Sequence, residues 1–346
     1  MHSFTYSTAR SVDEAIALVG DKGRYLAGGI DLLAELKDYL VTPAPDILVN
    51  VKRVGQPGGP AGGAGDAKMG LLNGIVHVAP AGKEGEAYKL GANVTIAEVA
   101  ANAALKKAFP GLTHAAGEVG STQIRNVATL AGNLLQHSRC WYYRHPDVTC
   151  QKKGGDKCLA RDGENRYHAL FTGGSCVTVA ASNMAMVLTA LDAKATVRRG
   201  KETVTLSMPD LYAKAWTDAA AHHSLAPQDF LTSVTVPTLR KRSAYRQQSE
   251  RKEFDWALVS CAAAGNVNGG VLTDARVVLG CVAPIPYMSL EVNNFLQGKP
   301  LNEATATAAA DMLLKGARPL SQNGYKVPLA QALVKRALLA LNETAG

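Results

Sequence analysis

The sequence predicts a chain of the α+β class with two domains, and three observations support this prediction. The 346 residues suffice for two or three hydrophobic cores, because one domain usually takes about 100–200 residues. The N-terminal part alternates strand-like and helix-like segments, whereas the last third has strand-like segments followed by two helices. We place the boundary near residues 220–230, which gives domains at 1–225 and 226–346.

The composition excludes several classes of protein. A hydrophobic fraction of 47% excludes a disordered chain. No run of 18 apolar residues occurs, so no membrane-spanning helix is expected. The N-terminus lacks a basic segment followed by an apolar core, so we expect no secretory signal of its own. The location therefore stays open between the cytoplasm and the periplasm, which a folded chain can reach together with a signal-bearing partner.

The first 50 residues have the pattern of a small β-α-β unit. Ser11 and Glu14 are spaced as a capping box, which predicts a helix that ends at Gly20. A Gly28-Gly29 pair stands at the next strand-to-helix turn. The further predicted elements are a strand at 24–27, a helix at 30–40 and a strand at 46–51.

The middle of the chain is interrupted by a loop that is rich in glycine and proline, at 54–70, and we expect this loop to be mobile. Thr95 and Glu98 form a second capping-box pattern, which predicts a helix that runs to Phe109 and is ended by Pro110. The remaining predicted elements are strands at 75–79, 88–91, 176–180 and 193–198 and a helix at 182–191.

The C-terminal third reads as an antiparallel sheet covered by helices. Its predicted strands lie at 230–236, 257–267 and 275–282, and its predicted helices at 302–316 and 329–341.

The chain is basic, with a net charge of +8 and a pI near 9.1. Apart from short runs at 198–201 and 240–242, the lysines and arginines are scattered. No nucleic-acid-binding motif accompanies the charge, so the sequence favours a solvated surface or a face for an acidic partner subunit, and not nucleic acid.

Four of the six cysteines fall within 37 residues, at a spacing of C-x9-C-x7-C-x17-C. The intervening loop, at 138–176, is polar and basic, so it cannot bury enough apolar surface to order itself. An iron–sulfur cluster, a zinc ion or two disulfides could each hold it together. Cys261 and Cys281 lie in apolar strand contexts and are predicted to be core residues.

Two stretches of small residues could each bring backbone amides close to a phosphate. One spans Leu26 to Leu33, and the other spans Gly120 to Asn133 and adds hydroxyl and amide side chains. Neither has the G-x-G-x-x-G pattern of a Rossmann site. Together they suggest a dinucleotide that is held between two subdomains.

Several motifs together resemble the FAD-binding medium subunit of the molybdenum hydroxylases, which include xanthine dehydrogenase, carbon monoxide dehydrogenase and aldehyde oxidoreductases. RYLAGGIDLL is similar to the family's A-G-G-T-x-L motif, and IRNVATLAGN to its I-R-N-x-A-T-x-G-G-N motif. SCVTVAASNMAMVLTALDA and AYRQQSERKEFDWALVS extend the resemblance over nearly the whole chain. The cysteine-rich segment NLLQHSRCWYYRHPDVTCQKKGGDKC resembles the subunit of periplasmic-type aldehyde oxidoreductase, which carries a [4Fe–4S] cluster.

The resemblance implies an FAD-binding domain with subdomains at about 1–53 and 54–225, followed by a domain like the C-terminal domain of carbon monoxide dehydrogenase flavoprotein. It implies Cys140, Cys150, Cys158 and Cys176 as ligands of a [4Fe–4S] cluster. It further implies FAD contacts at Arg24, Tyr25, Leu26, Ala27, Gly28, Gly29, Ile30, Asp31, Leu32, Gly120, Ser121, Thr129, Leu130, Ala131, Gly132, Asn133, Asn183 and Arg246.

Three of these positions depart from the family pattern. Asn183 stands where relatives have aspartate, Ile30 replaces a threonine, and Ala131 replaces a glycine. Arg246 occupies the place of a basic residue near the flavin in relatives.

The implied role is electron transfer and involves no catalytic residue in this chain. Electrons would come from a molybdenum cofactor on a large subunit, pass through [2Fe–2S] clusters on a small subunit, and leave through FAD to an acceptor. Two other functions stay open at this point. One is a stand-alone flavoprotein reductase of the same superfamily, and the other is a metal-stapled binding subunit without enzymatic activity.

Overall fold

The computed structural model describes residues 1–55, 70–79, 85–240, 242–252 and 254–343. The loop that the sequence predicts to be mobile, at 54–70, lies outside the described residues except at its two ends. The strands are β1 Thr5–Thr8, β2 Gly23–Leu26, β3 Ile47–Asn50, β4 Ile75–Val78, β5 Ala87–Gly91, β6 Lys194–Arg199, β7 Glu202–Ser207, β8 Phe230–Pro237, β9 Arg242–Gln248, β10 Val259–Asn268 and β11 Val271–Gly280.

Helices separate these strands and also close the chain. The helices are α1 Val12–Val19, α2 Leu32–Lys37, α3 Ile96–Ala101, α4 Ala103–Ala108, α5 Pro110–Gly117, α6 Thr122–Val127, α7 Leu130–Leu134, α8 Trp141–Arg144, α9 Asn183–Ala190, α10 Met208–Thr217, α11 Leu290–Leu296, α12 Glu303–Leu314 and α13 Lys326–Leu339. None of the described helices is long and apolar enough to cross a membrane.

The strands of the described residues form three sheets. A small parallel sheet has the order β1-β3-β2, and β2-α2-β3 is the β-α-β unit that the sequence predicts. A five-stranded antiparallel sheet has the order β4-β5-β8-β6-β7, and the C-terminal sheet has the antiparallel order β11-β10-β9. The mixed helix and sheet architecture confirms the predicted fold class.

Both helix starts that were predicted from a capping-box pattern are confirmed, although the hydrogen bonds at one of them differ from the pattern. Thr95 and Glu98 form the reciprocal capping box at the start of α3. At α1, the Ser11 hydroxyl accepts a hydrogen bond from the Glu14 amide at 3.1 Å, as expected. The Glu14 carboxylate, however, accepts from the Arg10 amide at 2.7 Å and not from the Ser11 amide.

Two local predictions differ from the structure. The helix predicted from Thr95 to Phe109 is divided into α3 and α4 at Asn102, whose side chain caps α4. It ends before Pro110 as predicted, and Pro110 also begins α5, where proline fits because the first helical amides need no intrahelical acceptor. Residues 176–180 form no strand; this extended segment makes isolated backbone bonds, such as Val177 O with Ala169 N at 2.9 Å and Ala180 N with Ala283 O at 2.8 Å.

The strand predicted at 230–236 belongs to a different sheet than expected. As β8 it pairs with β5 and β6 in the centre of the five-stranded sheet. The change to the C-terminal sheet occurs between Pro237 and Arg242, which is later than the predicted boundary at 225. Pairing partners far away in sequence decided the placement of β8, and local pattern carries no information on them.

Two large hydrophobic cores stabilise the chain. The first packs α1, α3, α5 and α9 around the N-terminal sheets, with Phe109, Leu112 and Tyr245 among its fully buried side chains. The second lies between the C-terminal sheet and helices α11 to α13. Cys261 is completely buried in this second core, and Cys281, directly after β11, is 5% exposed, so both are buried as predicted.

A buried lysine joins the C-terminal domain to the cysteine-rich loop. Lys326, at the start of α13, is 0% exposed, and its ammonium donates to the carbonyl oxygens of Tyr167, His168 and Cys281 at 3.2, 3.0 and 2.6 Å. Burial lowers the pKa of Lys326 to about 8, although the nearby Cys281 opposes that shift. The folded chain therefore holds this proton less tightly than the unfolded chain does.

This burial predicts a pH-dependent stability. Between pH 8 and about 10.5 the unfolded chain binds more protons at this lysine, so the contribution of Lys326 to the free energy of unfolding rises with pH, by on the order of 3 kcal/mol. Lys326→Met should remove that rise, whereas Lys335→Met, on the same helix in an ion pair with Glu303, should keep it. Urea unfolding at several pH values measures the difference. Parallel pH profiles for the wild type and Lys326→Met would contradict the prediction.

Candidate functional site

A cleft of about 1210 Å³ lies where the two domains and the cysteine-rich loop meet. One wall is the turn that follows β2, and a second wall is the segment from the end of α5 to α7, which contacts that turn at Gly28. The cysteine-rich loop, the segment after α10 and the β9–β10 connection close the remaining sides. A cleft of this size exceeds what most small ligands need and suits an extended one.

The turn after β2 offers a row of backbone amides. Within the described part of the chain, the N–H groups of residues 28–32 find no hydrogen-bond acceptor. Gly29 has φ +74°, a conformation that favours glycine. A Cβ on Gly28 would lie 2.3 Å from the Val127 carbonyl oxygen, so only glycine lets this turn meet the end of α6. Consecutive amides of this kind bind anionic oxygen atoms.

An ionic network fixes the end of the same turn. The Asp31 carboxylate lies 3.0 Å from Arg139 and 2.6 Å from Arg144, and it accepts from the His137 amide at 2.7 Å. Burial alone would raise the pKa of Asp31, but the two arginines and this amide hold it below its usual value. The turn is thereby tied to the cysteine-rich loop.

Glu35 extends this network and is almost completely buried. It lies 2.9 Å from His137 Nδ1 and accepts from the Tyr143 hydroxyl at 2.9 Å. Within the described residues, Asp31, Glu35 and His137 are the one group of three potential ligands within 4.8 Å of one another. Because arginines already neutralise both carboxylates, we interpret the group as a structural ion-pair network.

The second wall is built from capped helix starts. Gly120 has φ +50°, and the Thr129 hydroxyl accepts from the Gly132 amide at 3.1 Å at the start of α7. The Asn133 side chain accepts from the Ser182 hydroxyl at 2.6 Å. Asn183 donates to Gln247 at 3.2 Å, so its side chain is held by the C-terminal domain.

The structure brings most of the predicted FAD contacts together. The whole run from Arg24 to Leu32 lines the cleft. On the other side it is lined by Gly120, Thr129, Ala131, Gly132, Asn133 and Asn183. Ser121, Leu130 and Arg246 are not among the lining residues: Ser121 caps α6, Leu130 is buried in the core, and Arg246 donates to the Tyr245 carbonyl oxygen.

The four clustered cysteines surround one small cavity next to the cleft. All four line this cavity, although they are distant in sequence: Cys140, Cys150, Cys158 and Cys176. The first three lie in the loop, and the fourth begins the extended segment after it. All the cysteines are free thiols. The Cys176 thiol hydrogen-bonds to the Cys158 sulfur, and this bond lowers the pKa of Cys158 to about 6.

A neutral imidazole closes one side of this cavity. His168 Nε2 lies 3.1 Å from the Cys140 sulfur, and burial, followed by the charge of Lys326, lowers the pKa of His168 to about 4. Trp141 packs against His168 with 5.4 Å between ring centroids. The cavity is therefore sheltered from solvent on that side.

Sequence reasoning missed several residues of the cleft. His137 and His222 stack with 4.0 Å between ring centroids, and His223 lies beside them. Trp256 stacks on the Arg139 guanidinium at 4.6 Å, so the C-terminal domain touches the cysteine-rich loop here. The pattern around 220–223 has no motif of its own, and only the fold brings these rings to the cleft.

Comparison with known proteins agrees with this geometry. Residues 71–239 match the family described as FAD binding domain in molybdopterin dehydrogenase, and residues 243–341 match the CO dehydrogenase flavoprotein C-terminal domain. The chain is 30% identical to the aldehyde oxidoreductase FAD-binding subunit PaoB of Escherichia coli, over 96% of both chains. It is 24% identical to the carbon monoxide dehydrogenase medium chain of Hydrogenophaga pseudoflava, over 97% of this chain and 96% of that one.

Solved structures share the fold. Quinoline 2-oxidoreductase from Pseudomonas putida 86 superposes with a TM-score of 0.72 at 23% identity, covering 99% of this chain and 98% of the other. The two matched families together span most of the sequence, in the order that the two domains have in the structure. The chain therefore belongs to the family of FAD-binding flavoprotein subunits of the molybdopterin dehydrogenases.

Proposed function

We propose that this chain is the FAD- and [4Fe–4S]-binding electron-transfer subunit of a molybdenum-containing hydroxylase that acts on aldehydes. The observation that carries the proposal is the placement of four cysteines around one cavity, directly beside the cleft of an FAD-binding fold. Electrons would arrive from [2Fe–2S] clusters of a small partner subunit and leave through FAD to an acceptor.

The cleft suits FAD in size and in chemistry. The N–H groups of residues 28–32, which have no acceptor within the described residues, would donate hydrogen bonds to the pyrophosphate. The wall from Thr129 to Asn133 would pack against another side of the dinucleotide. When bound, FAD supplies electron transfer in one- or two-electron steps. The residues of this chain orient it, exclude water from it and set the charge around it.

The sulfur ligands around the four-cysteine cavity favour an iron–sulfur cluster. Four sulfur atoms with no carboxylate among them are the usual ligands of [4Fe–4S] clusters. The cysteines lack the C-x2-C knuckles that are typical of structural zinc sites. The free thiols also offer no support for a pair of disulfides.

The relatives suggest the partners and the substrate class. The names of the curated relatives describe them as FAD-binding subunits or medium chains, which are parts of larger enzymes. We therefore propose a complex with a large molybdenum-cofactor subunit and a small [2Fe–2S] subunit. An aldehyde substrate is proposed because the 30% identical relative is an aldehyde oxidoreductase subunit.

The test is purification of the native complex, followed by metal and flavin analysis and a screen of aldehydes against purines. The expected result is one FAD and about four irons in this subunit, with molybdenum in the large subunit and turnover of aldehydes. Zinc in place of iron in this subunit would contradict the cluster. Turnover of purines alone would contradict the substrate class, without bearing on the cofactors.

A further inference from the structure

One layer of side chains separates the cleft from the four-cysteine cavity. Tyr143 and Lys152 line both spaces, and each is only 7% exposed. The Tyr143 hydroxyl is occupied by Glu35 at 2.9 Å. Lys152 is the charged residue of the two, and its ammonium is therefore the charged group of this shared wall. It lies on a short 3-10 turn that begins directly after Cys150.

Lys152 is buried without an anionic partner in the described structure. Its ammonium donates to the Ala221 carbonyl oxygen at 2.7 Å, and no carboxylate of the described residues lies within 4.0 Å of it. Lys326 is also buried, but three carbonyl oxygens accept from it. A buried ammonium with a single acceptor is costly unless an anion offsets its charge.

The geometry shows where that anion would be. Lys152 lines the small cavity together with Cys140, Cys150, Cys158 and Cys176. On the other side of the shared wall, His222 and His223 line the cleft. Four thiolates around a cluster would supply the negative charge that offsets this ammonium.

We propose that Lys152 is the shared counter-cation of the four-cysteine site and the FAD cleft. The proposal rests on the proposed function, because it needs a redox group at each site. A fixed positive charge stabilises an electron that is added nearby, since little water screens it at this depth. Lys152 would thus raise the reduction potential of both groups.

The experiment uses redox titration of the native complex, with the cluster followed by electron paramagnetic resonance and the flavin by visible absorption. Lys152→Gln, which keeps a donor for Ala221, is expected to lower the reduction equilibrium constant of the cluster at least tenfold, or about 59 mV for one electron. The flavin potential should fall in the same direction. Lys152→Arg should stay near the wild type, and so should Lys157→Gln, whose lysine is solvent-exposed in the same loop.

The outcomes separate this proposal from the proposed function. Unchanged potentials in Lys152→Gln, with full iron, would overturn it, and a shift of the cluster alone would overturn the shared role. Loss of iron from Lys152→Gln but not from Lys152→Arg would support it, because charge and not shape then holds the site. Equal loss from both variants would overturn it. Absence of iron from the wild type would instead refute the cluster itself.

Discussion

Gly28→Ala is expected to weaken FAD binding about tenfold to hundredfold. The added Cβ would lie 2.3 Å from the Val127 carbonyl oxygen and 3.0 Å from the Ala128 Cα, and neither backbone atom can rotate away. The turn after β2 and the end of α6 must then move apart, and both the turn and Ala128, which follows α6, line the cleft. Strain of this kind costs about 1–3 kcal/mol, and each 1.4 kcal/mol corresponds to about a factor of ten in affinity.

The measurement is the dissociation constant for FAD, obtained by flavin fluorescence after removal and re-addition of the cofactor. Gly117→Ala is the matched control, because a Cβ at Gly117 meets no atom within 4 Å. That variant should bind FAD as the wild type does. If both variants bound FAD equally well, the turn could not be the wall that the structure indicates. Thermal unfolding of the FAD-free proteins shows whether strain acts on the whole fold or on the cleft.

The parts of the fold that local chemistry determines were predictable from the sequence. The β-α-β unit was predicted because glycines, caps and short apolar runs alternate within 50 residues. The Thr95 capping box was predicted because its two hydrogen bonds lie within one helical turn. Errors arose where partners distant in sequence decide the structure. β8 looks like the first strand of a C-terminal sheet, yet β5 and β6 determine where it pairs.

The same distinction applies to the candidate site. The run from Arg24 to Leu32 was identified from its motif and lines the cleft throughout. Lys152 was one of several lysines in a basic loop, and nothing in the sequence distinguishes it from the solvent-exposed Lys157. His222 belongs to a segment without any motif, and it reaches the cleft because the chain after α10 folds back onto His137. Burial and proximity of this kind follow from tertiary packing alone.

From the proposed function, Cys158→Ala is expected to remove the iron of the proposed cluster while FAD remains bound. The Cys158 sulfur is the one whose thiolate form is most favoured, because the Cys176 thiol hydrogen-bonds to it. A metal ligand must be deprotonated to bind, and alanine offers no donor atom in its place. The cleft should survive because its glycine turn and its α5–α7 wall do not depend on this side chain.

Cys261→Ala is the matched control, since it removes a sulfur atom that is equally free but fully buried in the C-terminal core. Iron analysis should give about four irons for Cys261→Ala, as for the wild type, and a large loss for Cys158→Ala. Limited proteolysis should then cut Cys158→Ala faster between residues 145 and 157, because the polar loop has lost what orders it. Full iron content in Cys158→Ala would contradict the ligand assignment. Iron loss in both variants would indicate that the cluster depends on general stability and not on the thiolate of Cys158.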